Sequence, residues 1–208
     1  MVQARAVRVH ENGGPEVLKL EDVDVRAPGA GEVLIRQTAI GLNFIDTYIR
    51  TGLYPTKLPV TPGFEGAGVI ESIGEGVEGL SVGDRVAYPT ITGAYATHVC
   101  DVASKVVPIP EGVADEDAAA LMMKGMTAWM LLFEIKRVMP GDTLLVWAAA
   151  GGVGSIVVRW AKALGANVIG VVSTEEKAAR VRENGADHVL LQSADIPAEV
   201  KALTGGKG

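Results

Sequence analysis

A single cysteine, Cys100, leaves no partner for an internal disulfide and removes any four-cysteine zinc site. Histidine is scarce too, with His10, His98 and His188 the full complement. Positive charge falls short: 19 lysines and arginines stand against 25 acidic residues, a net charge of -6. A sequence-independent grip on phosphate backbones needs the opposite balance, so nucleic acid is not expected as a partner. The N-terminus alternates from Val2 to His10 and lacks the apolar core of a secretion signal. No stretch is read as approaching the ~18 to 20 apolar residues of a membrane span, and a reducing, cytoplasmic setting is expected. Low-complexity tracts are missing, because the 26 glycines and 10 prolines are dispersed as in short elements joined by tight turns.

What is present changes character along the chain. Up to about Ser104, short strands such as Glu32 to Ile40 and Gly66 to Ile73 alternate with glycine turns, and this part reads as a β-barrel. Asn43 to Arg50 interrupts it with helical spacing of Phe44, Ile45, Tyr48 and Ile49 behind an Asn43 cap. Gly83 to Val86 opens a further strand, and Pro108 to Gly112 marks the exit from the barrel. Helices are then expected over Asp115 to Met123 and Thr127 to Val138, with the domain boundary between residues 123 and 124. Thr143 to Trp147 reads as a strand buried on both faces, followed by helix Val153 to Leu164 and strand Val168 to Val172. Helix Glu175 to Glu183, strand His188 to Leu191 and a helix from Pro197 to Leu203 complete the pattern. Strand, helix, strand, helix, strand builds a parallel sheet. The fold class is therefore α/β with a β-barrel, the sheet being the first half of a doubly wound fold in which strand 1 lacks its inner neighbour.

The turn after Trp147 reads Ala148-Ala149-Ala150-Gly151-Gly152-Val153-Gly154. Against G-x-G-x-x-G, Ala149 replaces the first glycine while Gly151 and Gly154 keep the others, so the backbone can approach a pyrophosphate at a helix N-terminus. A glycine turn made only for packing is the competing reading. About 20 residues further on, where an Asp or Glu would bind a ribose 2'-hydroxyl, stands Ser173, with Lys177 and Arg180 on the next helix. Hydroxyl plus ammonium suits a 2'-phosphate, which favours NADPH over NADH. A solvated helix face is the alternative for the two cations.

Asn43 to Tyr54 (NFIDTYIRTGLY), Lys124 to Ala128 (KGMTA), Ala148 to Gly154 and Trp160 to Ala166 (WAKALGA) together resemble the zinc-independent, zeta-crystallin-like quinone oxidoreductases of the medium-chain dehydrogenase/reductase superfamily. The resemblance implies a GroES-like barrel, residues 1–123, beside the first half of a Rossmann domain, residues 124–208, with NADPH in the cleft and a quinone near its nicotinamide. It implies Asn43, Tyr48 and Tyr54 at the nicotinamide and substrate end, the phenols holding or protonating the developing hydroquinone oxygen. Asp46 would fix Tyr48 or the ribose, unless it faces water, and Tyr48 also fits the apolar face of its helix. Lys124 and Thr127, at the join of two helices, would contact ribose and diphosphate, and Ala150, Gly151, Gly152, Val153, Gly154, Ser173, Lys177 and Gln192 would complete the cofactor site. Gln192 departs from the family by replacing a tyrosine, Trp147 by replacing His or Tyr, and Arg159 by replacing Gln. No metal is expected: Gly63-Phe64-Glu65 has Phe64 where zinc-dependent relatives place a histidine ligand, and Asn43 stands near the first cysteine's place. His98 and Cys100 read as ordinary strand residues.

The activity implied is metal-free reduction of a quinone by NADPH. A reductase of activated carbon-carbon double bonds, such as enoyl thioesters or alkenals, shares that scaffold. A non-catalytic NADPH-binding protein of crystallin type, an RNA-binding role and an inactive remnant are the other readings. The family is usually homodimeric, and its dimer interface is expected to lie in the stretch that this sequence lacks. On the same ground, poor solubility or weak NADPH binding is expected of the 208-residue chain.

Overall fold

A computed structural model describes residues 1–207. The chain divides into two compact units, Met1–Met123 and Lys124–Gly208. In the first, β1 (Val2–Arg8) and β2 (Lys19–Val25) form an antiparallel ribbon. The remaining strands are β3 (Glu32–Gly41), β4 (Glu65–Ile73), β5 (Arg85–Tyr88), β6 (His98–Val102) and β7 (Val107–Pro108). They make one sheet in the order β6-β3-β4-β5-β7, antiparallel at every pairing. The ribbon is tied to the segment before β6 by backbone bonds from Val7 N–H to the Tyr95 carbonyl and from Thr97 N–H to the Arg5 carbonyl, each 2.8 Å. Alternation decides which side chains turn inward: Val33, Ile35, Ile70, Val86 and Tyr88 are fully buried and pack with Ile91 and Val99.

The short helix α1 (Phe44–Thr51) leaves β3 through Leu42 and Asn43 and ends at Gly52, whose φ of 80° supplies the left-handed cap. Further on, α2 runs unbroken over Asp115–Trp129 and continues into a π-helical turn, Met130–Ile135. The expected break between residues 123 and 127 does not occur. Neither proline nor a clashing neighbour interrupts the segment, since Gly125 faces open space, and once Ala118, Ala119, Ala128 and Leu132 are buried the intervening residues stay helical. Asp115–Ile135 is also 21 residues long and, by length and composition, apolar enough to cross a membrane. The expectation that no stretch approaches a membrane span is thereby corrected, because residues expected to form two short helices form one long one. It opens with three carboxylates, Asp115, Glu116 and Asp117, and while Ala118, Ala119, Ala128 and Leu132 are buried, Leu121, Met126, Trp129 and Ile135 are exposed.

In the second unit, β8 (Thr143–Trp147), α3 (Gly152–Ala163), β9 (Asn167–Val172), α4 (Glu175–Glu183), β10 (His188–Leu191) and α5 (Ile196–Leu203) follow in turn. The three strands are parallel in the order β10-β9-β8. Val157, Val158 and Ala161 of α3 and Ala178 and Val181 of α4 pack against Val168 and Val172. The expectation that Thr143 to Trp147 is buried on both faces is corrected. Leu144 and Val146 are partly buried against that core, whereas Leu145 is 41% and Trp147 59% exposed. Only one face of β8 is covered by helices, so its apolar run does not imply two-sided burial.

Candidate functional site

In the second unit the glycine loop is shaped by backbone needs. Ala148 adopts φ 50°, the one non-glycine residue with positive φ among those described, and so makes the reversal that a glycine would ordinarily make. Ala149 occupies the first-glycine position because Gly170 on β9 leaves room for its methyl: a Cβ added at Gly170 would lie 3.0 Å from that of Ala149. Gly154 allows no substituent, since a Cβ there would strike the Ala148 carbonyl and lie 2.9 Å from Ala149 Cα. Helix and strand therefore meet at backbone distance. Helix α3 starts at Gly152 with no side-chain cap, so its first N–H groups and dipole face an open corner.

Lys124 lies over this loop. A Cβ at Gly152 would come within 2.9 Å of Lys124 Cδ, so the glycine leaves room for the lysine's alkyl chain. The two expected cofactor contacts Lys124 and Thr127 do not sit at a join of helices; they lie one turn apart within α2, both half-buried. At the carboxyl ends of the strands, Lys177 Nζ donates to Ser173 Oγ at 2.9 Å, and Thr174 Oγ1 caps α4 by accepting the Lys177 N–H at 3.3 Å. Arg180 turns away to Glu176 at 3.3 Å, leaving Lys177 as the ammonium beside the Ser173 hydroxyl. Gln192 follows β10, where its N–H donates to the Val172 carbonyl at 2.8 Å, and with Leu145, Trp147 and Ile196 it lines a groove of about 670 Å3. The loop, Lys124, Ser173 and Lys177 thus offer phosphates a backbone cradle and two cationic ends, the donor set a phosphorylated dinucleotide needs. Among the described residues, no group of three His, Cys, Asp or Glu side chains is arranged to hold a metal ion.

In the first unit Asn43 sits at the N-terminus of α1. Its side-chain Nδ2 donates to Glu65 Oε1 at 2.8 Å, and its backbone N–H donates to Asp46 Oδ2 at 2.8 Å. The same Asp46 oxygen accepts the Tyr95 hydroxyl at 2.9 Å. The expectation that Asp46 fixes Tyr48 is therefore corrected, as is the alternative that it faces water: Asp46 is 4% exposed and turns inward. At the third position of a helix, a short carboxylate reaches back to the chain before the helix instead of outward to the next turn. Burial pushes its pKa up, against the bonds from Asn43 and Tyr95, and the charge of Glu65 adds to the rise. Burial and the Asp46 charge likewise raise the Tyr95 phenol.

Tyr48 and Tyr54 lie together, with ring centroids 5.4 Å apart and the Tyr54 N–H donating to the Tyr48 carbonyl at 3.1 Å. Phe44, 80% exposed, adds a third ring 6.4 Å from Tyr48. Phe44, Glu65 and Tyr95 were missed as members of this corner. Glu65 had a signal, because it stands in the Gly63-Phe64-Glu65 segment that was read only for its missing histidine; Tyr95 had none.

Two family models match the chain, the alcohol dehydrogenase GroES-like domain over residues 29–115 and the zinc-binding dehydrogenase domain over residues 152–208. A quinone oxidoreductase structure from Pseudomonas syringae superimposes with a TM-score of 0.95 at 47% identity, covering 98% of this chain and 64% of that one. The chain belongs to the medium-chain dehydrogenase/reductase superfamily that these two domains build, and it is similar to the quinone oxidoreductases within it. The Escherichia coli quinone oxidoreductase, solved with NADPH, gives a TM-score of 0.95 at 41% identity over 98% of this chain and 63% of its own. A 2-haloacrylate reductase from Burkholderia is 46% identical over 98% of this chain and 63% of its length. The chain thus spans somewhat under two thirds of the relatives it matches.

Proposed function

We propose that this chain carries the NADPH-binding and quinone-reducing machinery of its family. The observation that bears most weight is the glycine loop roofed by Lys124 together with the Ser173 hydroxyl and Lys177 ammonium at 2.9 Å, a site for pyrophosphate at one end and a 2'-phosphate at the other. Bound NADPH supplies a hydride, so that quinone, NADPH and one proton give hydroquinone and NADP+. The chain's own part is to bind, orient and protonate. Ala150 and, at the start of α3, Gly152, Val153 and Gly154 present backbone N–H groups, while Gly151, its own N–H on the Ala148 carbonyl at 2.8 Å, lets the chain pass close to the phosphates. Lys124 and Thr127 contact ribose and diphosphate, and Gln192 stands past the neighbouring strand end on the adenine side. In the first unit Asn43 orients the nicotinamide end, and Tyr48 and Tyr54 set a polar aromatic edge whose hydroxyls hold or protonate the developing hydroquinone oxygen. A cytoplasmic setting agrees with the reduced pyridine nucleotide.

Kinship with a 2-haloacrylate reductase at 46% identity supports a second reading, reduction of an activated carbon-carbon double bond on the same residues. The test is NADPH oxidation by the chain with 1,4-naphthoquinone and with 2-chloroacrylate, each repeated with NADH. Faster turnover of the quinone with NADPH supports the proposal. Turnover of chloroacrylate alone moves the assignment to the second reading, and a preference for NADH sinks the role given to Ser173 and Lys177.

A further inference from the structure

Burying a carboxylate is costly unless donors meet it, and among the described residues only two charged side chains are buried, Asp46 at 4% and Glu65 at 0% exposure. Both hold Asn43. Asp46 Oδ2 accepts the Asn43 backbone N–H, and Glu65 Oε1 accepts the Asn43 side-chain Nδ2, each at 2.8 Å. The β3–β4 register explains how Glu65 arrives there, since it pairs with Gly41, two residues before Asn43. Gly41 must lack a side chain, because a Cβ would collide with Glu65 Cγ and Oε1 and with the Ala119 carbonyl. The second oxygen, Oε2, accepts the Met123 N–H of α2 at 2.7 Å, so the carboxylate cannot rotate without losing a bond.

A carboxylate accepts and never donates, so the amide end facing Glu65 has to be the NH2. This removes the freedom to flip that an asparagine otherwise has, and it turns the Asn43 oxygen away from Glu65. We propose that Glu65 is a positioning residue, which with Asp46 clamps Asn43 so that its amide presents one fixed hydrogen-bonding pattern to the nicotinamide end of the cofactor. Its consequence for NADPH rests on the role given to Asn43 above; the clamp itself belongs to the apo protein and is measurable there.

Asparagine occurs four times, at Asn12, Asn43, Asn167 and Asn184, so nitrogen-15 asparagine labelling gives an assignable set of side-chain amides. One Asn43 Nδ2 proton should resonate downfield and exchange about tenfold more slowly than those of the other three, as a charge-assisted hydrogen bond requires. Glu65→Gln, which must set an NH2 against one of two donors, should abolish that protection. Glu65→Asp, shorter by one methylene, serves if the first variant does not fold, with thermal melting as the check. NADPH affinity by fluorescence then closes a double-mutant cycle: Glu65→Gln should weaken binding about fivefold alone and add nothing to Asn43→Ala. Unchanged protection in the Glu65 variants, or full additivity with Asn43→Ala, overturns the clamp. Loss of protection in Glu65→Gln with Asn43→Ala silent toward NADPH upholds the clamp and refutes the cofactor role of Asn43, which keeps the two failures apart.

Discussion

The glycine loop and the Asn43 corner are built in opposite ways. The loop is seven consecutive residues, Ala148 to Gly154, whose shape depends on close approach of backbone: Gly154 on Ala148, Gly170 beside Ala149. The corner gathers Asn43, Asp46, Glu65, Tyr95 and Met123 through hydrogen bonds to side chains, all but the Asn43–Asp46 bond across long sequence separations. A site made of backbone tolerates side-chain change wherever space is open and fails at the single positions where it is not. One made of buried carboxylates depends on every partner, because each loss leaves a desolvated group.

The largest effect should come from the loop. Gly154→Val drives a branched side chain into backbone that has no way to retreat, and we expect a loss of about 3 kcal/mol in stability together with a roughly hundredfold loss of NADPH affinity. Urea unfolding and NADPH titration measure the two. Wild-type affinity in that variant would show that helix α3 need not meet β8 closely. The corner offers the matching test in Gly41→Ala, whose methyl displaces Glu65, at about 2 kcal/mol by the same unfolding assay. Gly125→Ala, placed in open space in α2, is its control and should gain about 0.5 to 1 kcal/mol.

The same contrast governs what could be read from residues alone. Local spacing was enough for the loop, for α4 over Glu175–Glu183 and for β10 over His188–Leu191, since periodicity and caps lie within the segment itself. It was not enough for α2, where tertiary burial of Ala118, Ala119 and Ala128 carries the helix through Lys124 and Gly125. Nor could it foresee the exposure of Leu145 and Trp147, because an apolar strand does not announce how many of its faces are covered. Asp46 was found but assigned to the wrong tyrosine: Tyr48 is two residues away in sequence, whereas Tyr95 reaches it only through the fold. Glu65 depends on the β3–β4 register, which no short motif encodes.

A middle-sized effect separates charge on the two sides. Lys177→Ala removes the ammonium beside Ser173 and should reduce the preference for NADPH over NADH roughly tenfold, read as a ratio of dissociation constants. An unchanged ratio would place the 2'-phosphate elsewhere. In the corner, burial raises the Asp46 pKa above its unfolded value, so the ionised form opposes folding. Stability from this group is fully present below the ordinary carboxylate range, near pH 4 by the usual reference value, and declines as pH rises through the raised folded value. Asp115, held low by its hydrogen bond from Thr38 and then by Arg85, slopes the other way. The informative quantity is therefore the difference in unfolding free energy between wild type and Asp46→Asn. That difference should shift in favour of the asparagine variant as pH rises from 4 to 7, and a flat difference would mean that Asp46 is ionised at no cost.

The smallest effect tests whether the loop's one irregular residue is strained. Ala148 holds φ 50°, a conformation that costs a residue with a Cβ about 1 to 2 kcal/mol. Replacing it with glycine relieves that cost but gives the unfolded chain more freedom, worth about 0.4 to 1 kcal/mol in the other direction. The net expectation for Ala148→Gly is a gain of about 0.5 kcal/mol in urea unfolding. NADPH affinity should stay at the wild-type level, because the Ala148 carbonyl that meets Gly154 and the N-terminus of α3 keep their places. A loss of more than about 1 kcal/mol would show that the Ala148 methyl is packed and the conformation unstrained, in which case this loop, like the Asn43 corner, also depends on a side chain.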